Sequence, residues 1–285
     1  MWNSLSAIST RTPSAIGIRA IALNISLVPL ILEGHQVHHV AVLATKSFPI
    51  DEQTLREAIG TPVELMAIPE DCLRHGSLDD ASMKRLCLAT ADAQAVVFRV
   101  GQVPQQVIET APNLKIVAVH GVGTDAVAVP TATKRGVYVT VAPGGNTVAV
   151  AEYVICVSLL AKRRLDKAAS LLRSGTWKEP HSEGEELFGK RIGIVGLGAI
   201  GSRIAQLADA FGMEILVADY AKLPNCRYRT LPLPSLAQVV DYLVVTVPFR
   251  PSTKGLISEK IIRAMRPSAR CNTTKRSCKI TCKCT

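Results

Sequence analysis

Arg191-Ile192-Gly193-Ile194-Val195-Gly196-Leu197-Gly198-Ala199-Ile200-Gly201, followed eighteen residues later by Asp219, decides the fold. The apolar run Ile192–Val195 reads as a strand buried on both faces, and Ala199–Phe211 reads as the helix after it. A lone G-x-G-x-x-G is a weak signal. Set between a strand and a helix, with an acid closing the next strand Glu214–Asp219, each part has a physical task. Gly196 makes the tight turn out of the strand. Gly198 lets the backbone approach a pyrophosphate, and Gly201 lets the helix lie close on the sheet. The helix N-terminus offers N–H groups and a partial positive charge to phosphates. Asp219 can accept both hydrogen bonds of an adenosine ribose diol. Its carboxylate repels a 2′-phosphate, and Tyr220-Ala221 supply no arginine to receive one. Lys222 alone is a poor substitute, so the implied cofactor is NAD rather than NADP.

The alternation of strand and helix extends on both sides of this loop. Downstream the text reads helix Ser235–Val239, strand Asp241–Val247 and helix Ser258–Met265. Upstream, candidate strands are Val37–Ala44, Glu64–Ala67, Ala95–Val100, Lys115–His120 and Val137–Thr140. Helical stretches lie between them near Asp51–Ile59, Asp79–Cys87, Pro104–Thr110 and Pro130–Arg135. Strands alternating with helices imply parallel sheets covered on both faces, an α/β protein. The upstream unit has no phosphate-binding glycine loop at a strand end. The turn Ala142–Gly145 leads into a strong helix signal at Asn146–Arg164, capped by Asn146 or Thr147 and ending on Lys162, Arg163 and Arg164. Its apolar face includes Val148, Ala151, Val154, Ile155 and Leu159, with Glu152 reading as a buried ion-pair partner. The polar stretch Ser174–Glu186 separates this helix from the second unit. The expected division is an extension over 1–35, a first domain over 36–144, the nucleotide domain over 145–269 and a tail over 270–285.

Composition limits the alternatives. With 285 residues, 48% of them hydrophobic, 20% charged and 4% aromatic, the chain has the balance of a soluble aliphatic protein with two sizeable cores. The net charge of +10 raises nucleic-acid binding, but its location argues otherwise. Arg270, Lys275, Arg276, Lys279 and Lys283 supply half of it in a tail without acids, and no basic face with interleaved aromatics occurs elsewhere. Cys72, Cys87, Cys156 and Cys226 read as reduced structural thiols of a cytoplasmic protein. Cys278, Cys282 and Cys284 lack a fourth ligand at zinc spacing, so no metal site is expected. His35, His38 and His39 read as solvated residues of an extension, and His181 as a surface residue. His120, ending a strand, reads as structural. Ala15–Leu32 is broken by Arg19, Asn24 and Pro29, which argues against a membrane span. The acid-poor first 34 residues leave two readings open, an organellar transit peptide or an extension with no folded role.

From Val37 to Ala269 the chain resembles the D-isomer-specific 2-hydroxyacid dehydrogenases. The resemblance is carried by Gly121-Val122-Gly123-Thr124-Asp125, Arg135-Gly136-Val137-Tyr138-Val139, Asn146–Glu152 and Gly175-Thr176-Trp177. Leu187-Phe188-Gly189-Lys190, the glycine loop and Val247-Pro248 through Thr253-Lys254-Gly255-Leu256 continue it. It implies a flavodoxin-like substrate domain, a Rossmann domain inserted into it, and an active site in the cleft between them. By position it places Arg99, Val100 and Gly101 and the backbone of Gly121, Val122 and Gly123 toward a substrate carboxylate, with Val122 also near the nicotinamide. Ala199 and Ile200 would touch the pyrophosphate, Asp219 the ribose, and Val247 and Pro248 the adenine side, with Thr147 a further cofactor contact. A homodimer through the apolar face of Asn146–Arg164 is also implied. The family's Asn-hydrophobic-Asp after Asp125 is replaced here by Ala126-Val127-Ala128, which predicts a less hydrogen-bonded loop.

Reduction of a 2-keto acid needs a carboxylate-clamping arginine, a histidine that gives a proton and a glutamate that keeps it charged. The resemblance implies all three beyond Ala269, the arginine within an Asn-Thr-Ala-Arg-Gly motif. In this sequence no Asp or Glu follows Glu259 and no His follows His181. Ungapped alignment puts Arg276 at the arginine's place, whereas alignment on Asn272-Thr273 puts Lys275 there. The composition after Ala269 reads as a frame change or an alternative end. It predicts an incomplete nucleotide-domain sheet with Asp241–Val247 as a bare edge. The expected function is NAD-dependent hydride transfer to or from a small 2-hydroxy or 2-keto acid, impaired in this chain. The alternatives are a non-catalytic NAD-binding interaction protein or a fragment without function.

Overall fold

The computed structural model describes residues 38–60, 62–73, 78–177, 183–220, 226–248 and 250–273. The residues up to Asn146 form one compact unit and those from Thr147 another.

The first unit runs β1 (His38–Leu43), α1 (Glu52–Ile59), β2 (Val63–Ala67), α2 (Asp80–Thr90), β3 (Ala95–Phe98), α3 (Gln105–Thr110), β4 (Ile116–Val119), α4 (Val129–Lys134) and β5 (Tyr138–Thr140). The five strands are parallel in the order β2-β1-β3-β4-β5. That is the flavodoxin-like order, so the flavodoxin-like expectation is met. β3 and β4 are buried along their whole length, which is why Ala-Val-Val-Phe and Ile-Val-Ala-Val show no polar alternation. One face packs Leu43, Leu86, Val96, Ile108 and Val117, and the other Val40, Leu55, Ile59, Val97 and Ile116. α1 and α2 start where acids cap them: Asp51 accepts from the Thr54 N–H at 2.7 Å, and Asp79 accepts from the Ser82 N–H at 2.7 Å.

Two expectations for this unit are corrected. His38 and His39 belong to β1, in line with the strand expected at Val37–Ala44 and against their reading as solvated residues of an extension. His38 is buried with Nδ1 3.1 Å from Gln94 Oε1, and His39 faces Glu64 across the β1–β2 ladder. The apolar pattern of Val40–Leu43 outweighs the histidines' polarity and carries the strand through them. The Ala126–Ala128 loop is well hydrogen-bonded. Val103 N–H donates to Ala126 O, Ala128 N–H to Val103 O and Val127 N–H to Thr124 O. Backbone pairing there does what polar side chains were expected to do. His35 lies outside the described residues.

The second unit runs α5 (Thr147–Arg163), α6 (Leu165–Arg173), β6 (Arg191–Val195), α7 (Ala199–Ala210), β7 (Glu214–Ala218), β8 (Arg229–Thr230), α8 (Leu233–Val239), β9 (Tyr242–Val245), α9 (Glu259–Ala264) and β10 (Arg270–Thr273). Its sheet is parallel in the order β10-β9-β6-β7-β8. In chain order this is 5-4-1-2-3, the Rossmann arrangement, with its switch point between β6 and β9. Residues alternate between two cores. Ile192, Ile194, Tyr242 and Val244 face α5 and α7, while Val195, Leu243 and Val245 face α8 and α9.

Two further corrections concern this unit. β9 is no bare edge, because Arg270–Thr273 pairs with Tyr242–Val245 along its full length. A ladder is made of backbone groups, so the altered composition after Ala269 does not prevent pairing. Glu152 is exposed on α5 rather than buried in an ion pair. α6 was not anticipated: Arg164 takes a left-handed conformation (φ 49°) and starts a second helix that runs up to the polar stretch at Ser174.

Candidate functional site

β6 delivers the chain to the switch point, and the glycine loop turns there. Gly196 has φ +93°, a region that side chains disfavour, and a Cβ on it would meet Val247 Cγ1 at 2.7 Å. A Cβ on Gly201 would stand 2.1 Å from Gly196 O, so helix α7 can approach the loop only with hydrogen at that position. Gly198 differs from both. Its φ of −73° is open to any residue, and a Cβ on it would meet no atom of the described residues within 4 Å. Neither conformation nor packing inside the chain calls for glycine there. The space above Gly198 at the start of twelve-residue α7 suits a group that enters from outside.

The loop is held from three sides. Gly196 N–H donates to Ala218 O, and Leu197 N–H donates to Asp219 Oδ2 at 2.8 Å. The Thr246 hydroxyl donates to Gly196 O at 2.6 Å, and the Ser202 hydroxyl to Leu197 O at 3.1 Å. Asp219, half-buried one residue past β7, therefore orders the loop as well as facing the nucleotide space.

Beside the loop lies a cavity of about 590 Å³. Asp219 and Tyr220 border it on the β7 side, Leu231 and Leu233 at the base, and Val247, Pro248 and Arg250 on the β9 side. Its volume and mostly apolar wall suit an adenosine. The residues present thus fit a dinucleotide: a helix start open to a phosphate, a carboxylate on the cavity wall for a ribose and an apolar slot for the base.

Of the sequence-predicted residues, Gly196, Gly198, Ala199, Ile200, Gly201, Asp219, Val247 and Pro248 gather at the loop and cavity. Thr147 is the first residue of α5. Arg276, Lys275 and His181 lie outside the described residues. Thr246 and Arg250 were not singled out. Thr246 could have been found as the residue directly after β9, the strand in register with β6. Arg250 sits two strands and a helix away from Asp219 in sequence, so the search for a cation near Tyr220 passed it by.

In the first unit the candidate substrate residues cluster at the carboxyl ends of β3 and β4. Arg99 is half-buried, donates Nη1 to Pro49 O and lies over the Phe48 ring, 6.0 Å from its centroid. Val100 is buried, and Gly101 lies against Leu73. Gly121, Val122 and Gly123 follow β4, but the Gly121 N–H donates to Val119 O at 2.8 Å. That N–H is used inside the fold and is removed from the expected carboxylate contacts. His120, adjacent to the loop, has its pKa lowered by burial, and the charge of nearby Arg99 lowers it further.

The second unit is a dinucleotide-binding Rossmann domain of the dehydrogenase type. Residues 155–276 match the D-isomer specific 2-hydroxyacid dehydrogenase, NAD binding domain, and the chain belongs to that family. The match continues past Ala269, where the resemblance was expected to end. The chain is 36% identical over 212 residues to the glyoxylate reductase of Thermofilum pendens, covering 70% of this chain and 62% of that one. It is 37% identical over 195 residues to the D-3-phosphoglycerate dehydrogenase of Mycobacterium tuberculosis, covering 67% and 37%. It therefore spans less than two thirds of the length of either relative. Among solved structures, the 2-hydroxyacid dehydrogenase of Ketogulonicigenium vulgare superposes with a TM-score of 0.66 at 26% identity, over 84% of this chain and 73% of that one. Among the described residues, no helix is long and apolar enough to cross a membrane.

Proposed function

We propose that this chain is an oxidoreductase that uses NAD to interconvert small 2-hydroxy and 2-keto acids. The observation that carries the reading is Gly198, a helix-start glycine that nothing within the protein requires. In this proposal the backbone of Gly198, Ala199 and Ile200 holds the pyrophosphate against the positive end of α7. Gly196 and Gly201 shape the turn. Asp219 takes the ribose hydroxyls, Val247 and Pro248 form the adenine wall, and Thr147 is a further contact. When bound, the nicotinamide supplies or accepts the hydride.

For the acid, the proposed contacts are Arg99, Val100 and Gly101 and the loop Gly121-Val122-Gly123, through the N–H groups after Gly121. The small side chains here suit a small acid, and the relatives' names, glyoxylate reductase and D-3-phosphoglycerate dehydrogenase, point the same way. Proton transfer to the carbonyl oxygen asks for an acid and a clamp, each worth about 10²–10⁴ in rate. In this proposal Arg276 or Lys275 is the cation at the clamp position. The apolar face of α5 expected to form a homodimer is instead buried in the second unit, through Ala151, Val154 and Ile155, so the proposed homodimer contact moves to the exposed Tyr153 and Leu160 of the same helix. Light scattering at micromolar concentration checks it, and a folded monomer would contradict it.

The test is NADH binding by fluorescence titration, followed by NADH oxidation with glyoxylate and hydroxypyruvate. NADH binding is expected. A folded chain that does not bind NADH at millimolar concentration would end the cofactor reading.

A further inference from the structure

We propose that Arg250 sets how the nucleotide cavity treats the 2′ position of the ribose, drawing in a 2′-phosphate that Asp219 alone repels. The proposal deepens the cofactor reading above and rests on it. Among the described residues that line the cavity, Asp219 is the acid and Arg250 the base, and the remaining wall is apolar or carries a hydroxyl.

Their placement follows from strand register. Val195 of β6 pairs with Ala218 of β7 on one side and with Val245 of β9 on the other. Asp219 follows Ala218 directly, and the segment bearing Arg250 follows Val245. Neighbouring strands lie about 4.8 Å apart, so the walls that carry the two charges are separated by about 10 Å. A ribose held by Asp219 would occupy that gap, with its 2′ substituent open to the long arginine stem from the opposite wall.

The Arg250 backbone is fixed. Its N–H donates to Thr253 Oγ1 at 2.8 Å, its carbonyl accepts from the Thr253 and Lys254 N–H groups, and the Thr253 hydroxyl donates to Pro248 O at 2.7 Å. The residue itself is exposed, so the guanidinium is solvated and able to meet a ligand. Its planar fork matches phosphate oxygens, and its charge offsets that of Asp219. A cofactor with a 2′-phosphate therefore meets a balanced pair of charges instead of a bare carboxylate. Discrimination against NADPH is weaker than Asp219 by itself would produce.

Fluorescence titration of the full chain with NADH and NADPH, with AMP and adenosine 2′,5′-bisphosphate as competitors, tests this. In Arg250→Gln the ratio of the NADPH to NADH dissociation constants is expected to rise about tenfold. Any preference for adenosine 2′,5′-bisphosphate over AMP should fall in parallel, and Arg250→Lys should lie between. An unchanged ratio overturns the proposal and leaves the cofactor reading intact. Equal weakening of both dinucleotides also overturns it, since it would place the guanidinium on the adenine face. A folded wild-type chain that binds neither NADH nor AMP overturns both.

Discussion

Gly198 and Gly201 stand three residues apart in one loop, yet an added methyl group should act on them in opposite ways. In Gly201→Ala the new Cβ would stand 2.1 Å from Gly196 O, about 0.9 Å inside the 3.0 Å that real contacts respect. The obstructing atom is backbone, and Thr246 Oγ1, hydrogen-bonded to it at 2.6 Å, stands 3.1 Å from the new Cβ, so neither can yield cheaply. Overpacking of this kind costs up to about 3 kcal/mol, equivalent to a fall of about 10 °C in Tm. In Gly198→Ala the methyl enters open space. The helix start loses part of its capping preference, up to about 1 kcal/mol, and the stiffer unfolded chain returns a similar amount. Net stability should stay within about 1 kcal/mol of wild type. The methyl would instead occupy the pyrophosphate's approach and break one or two charge-assisted hydrogen bonds. NADH affinity should fall about thirtyfold, or about 2 kcal/mol. Thermal denaturation without ligand and NADH titration of both variants separate the effects. If Gly198→Ala bound NADH within twofold of wild type, or unfolded as early as Gly201→Ala, the loop would not be a phosphate cradle.

Asp219→Ala should weaken NADH binding and reduce discrimination against NADPH, because ribose hydrogen bonds, phosphate repulsion and the Leu197 N–H contact are lost together, the first two at about 1–3 kcal/mol each. Unchanged relative affinities would refute the ribose assignment. Tyr242→Phe should leave stability unchanged or raise it by about 1 kcal/mol, since the buried hydroxyl has no hydrogen-bond partner among the described residues; a loss of 2 kcal/mol in urea denaturation would show a hidden one. Glu185 joins Lys190 and Lys162 at 2.8 and 3.0 Å, and those hydrogen bonds and charges lower its pKa to about 2. A depressed carboxylate stabilises the fold above its unfolded pKa near 4.5 and loses that contribution as the pH falls toward 2. Because the carboxylate is exposed, Glu185→Gln should cost under about 1 kcal/mol at pH 7, and the gap should close between about pH 4.5 and 2; a gap constant with pH would contradict the ion-pair account.

The strands that were legible are those buried on both faces. Ala95–Phe98, Ile116–Val119 and Tyr242–Val245 are continuous apolar runs, and such runs announce themselves whatever their partners. β8 and β10 were not legible for the converse reason. Arg229-Thr230 and Arg270-Cys271-Asn272-Thr273 sit at the two edges of the second sheet, where a strand needs one neighbour's backbone and little burial of its own. Composition is a guide to what is buried. It says little about a ladder whose bonds are all main-chain.

The same distinction divides the candidate site. Gly196, Gly201 and Asp219 were readable because each answers a local demand: a positive φ, a helix crossing at close range, an acid at a strand end. Thr246 and Arg250 answer demands set by neighbouring strands, and the neighbour relation exists only once the order β9-β6-β7 is formed. The first unit shows the reverse error. Gly121 was assigned to the substrate by its motif, but its N–H closes a turn on Val119. A motif fixes which backbone is small enough to be approached, and the hydrogen-bond inventory decides which of its groups remain available to a ligand. The cofactor loop is a case where the two agree, since Gly198 combines an ordinary φ with a Cβ position that faces no protein atom.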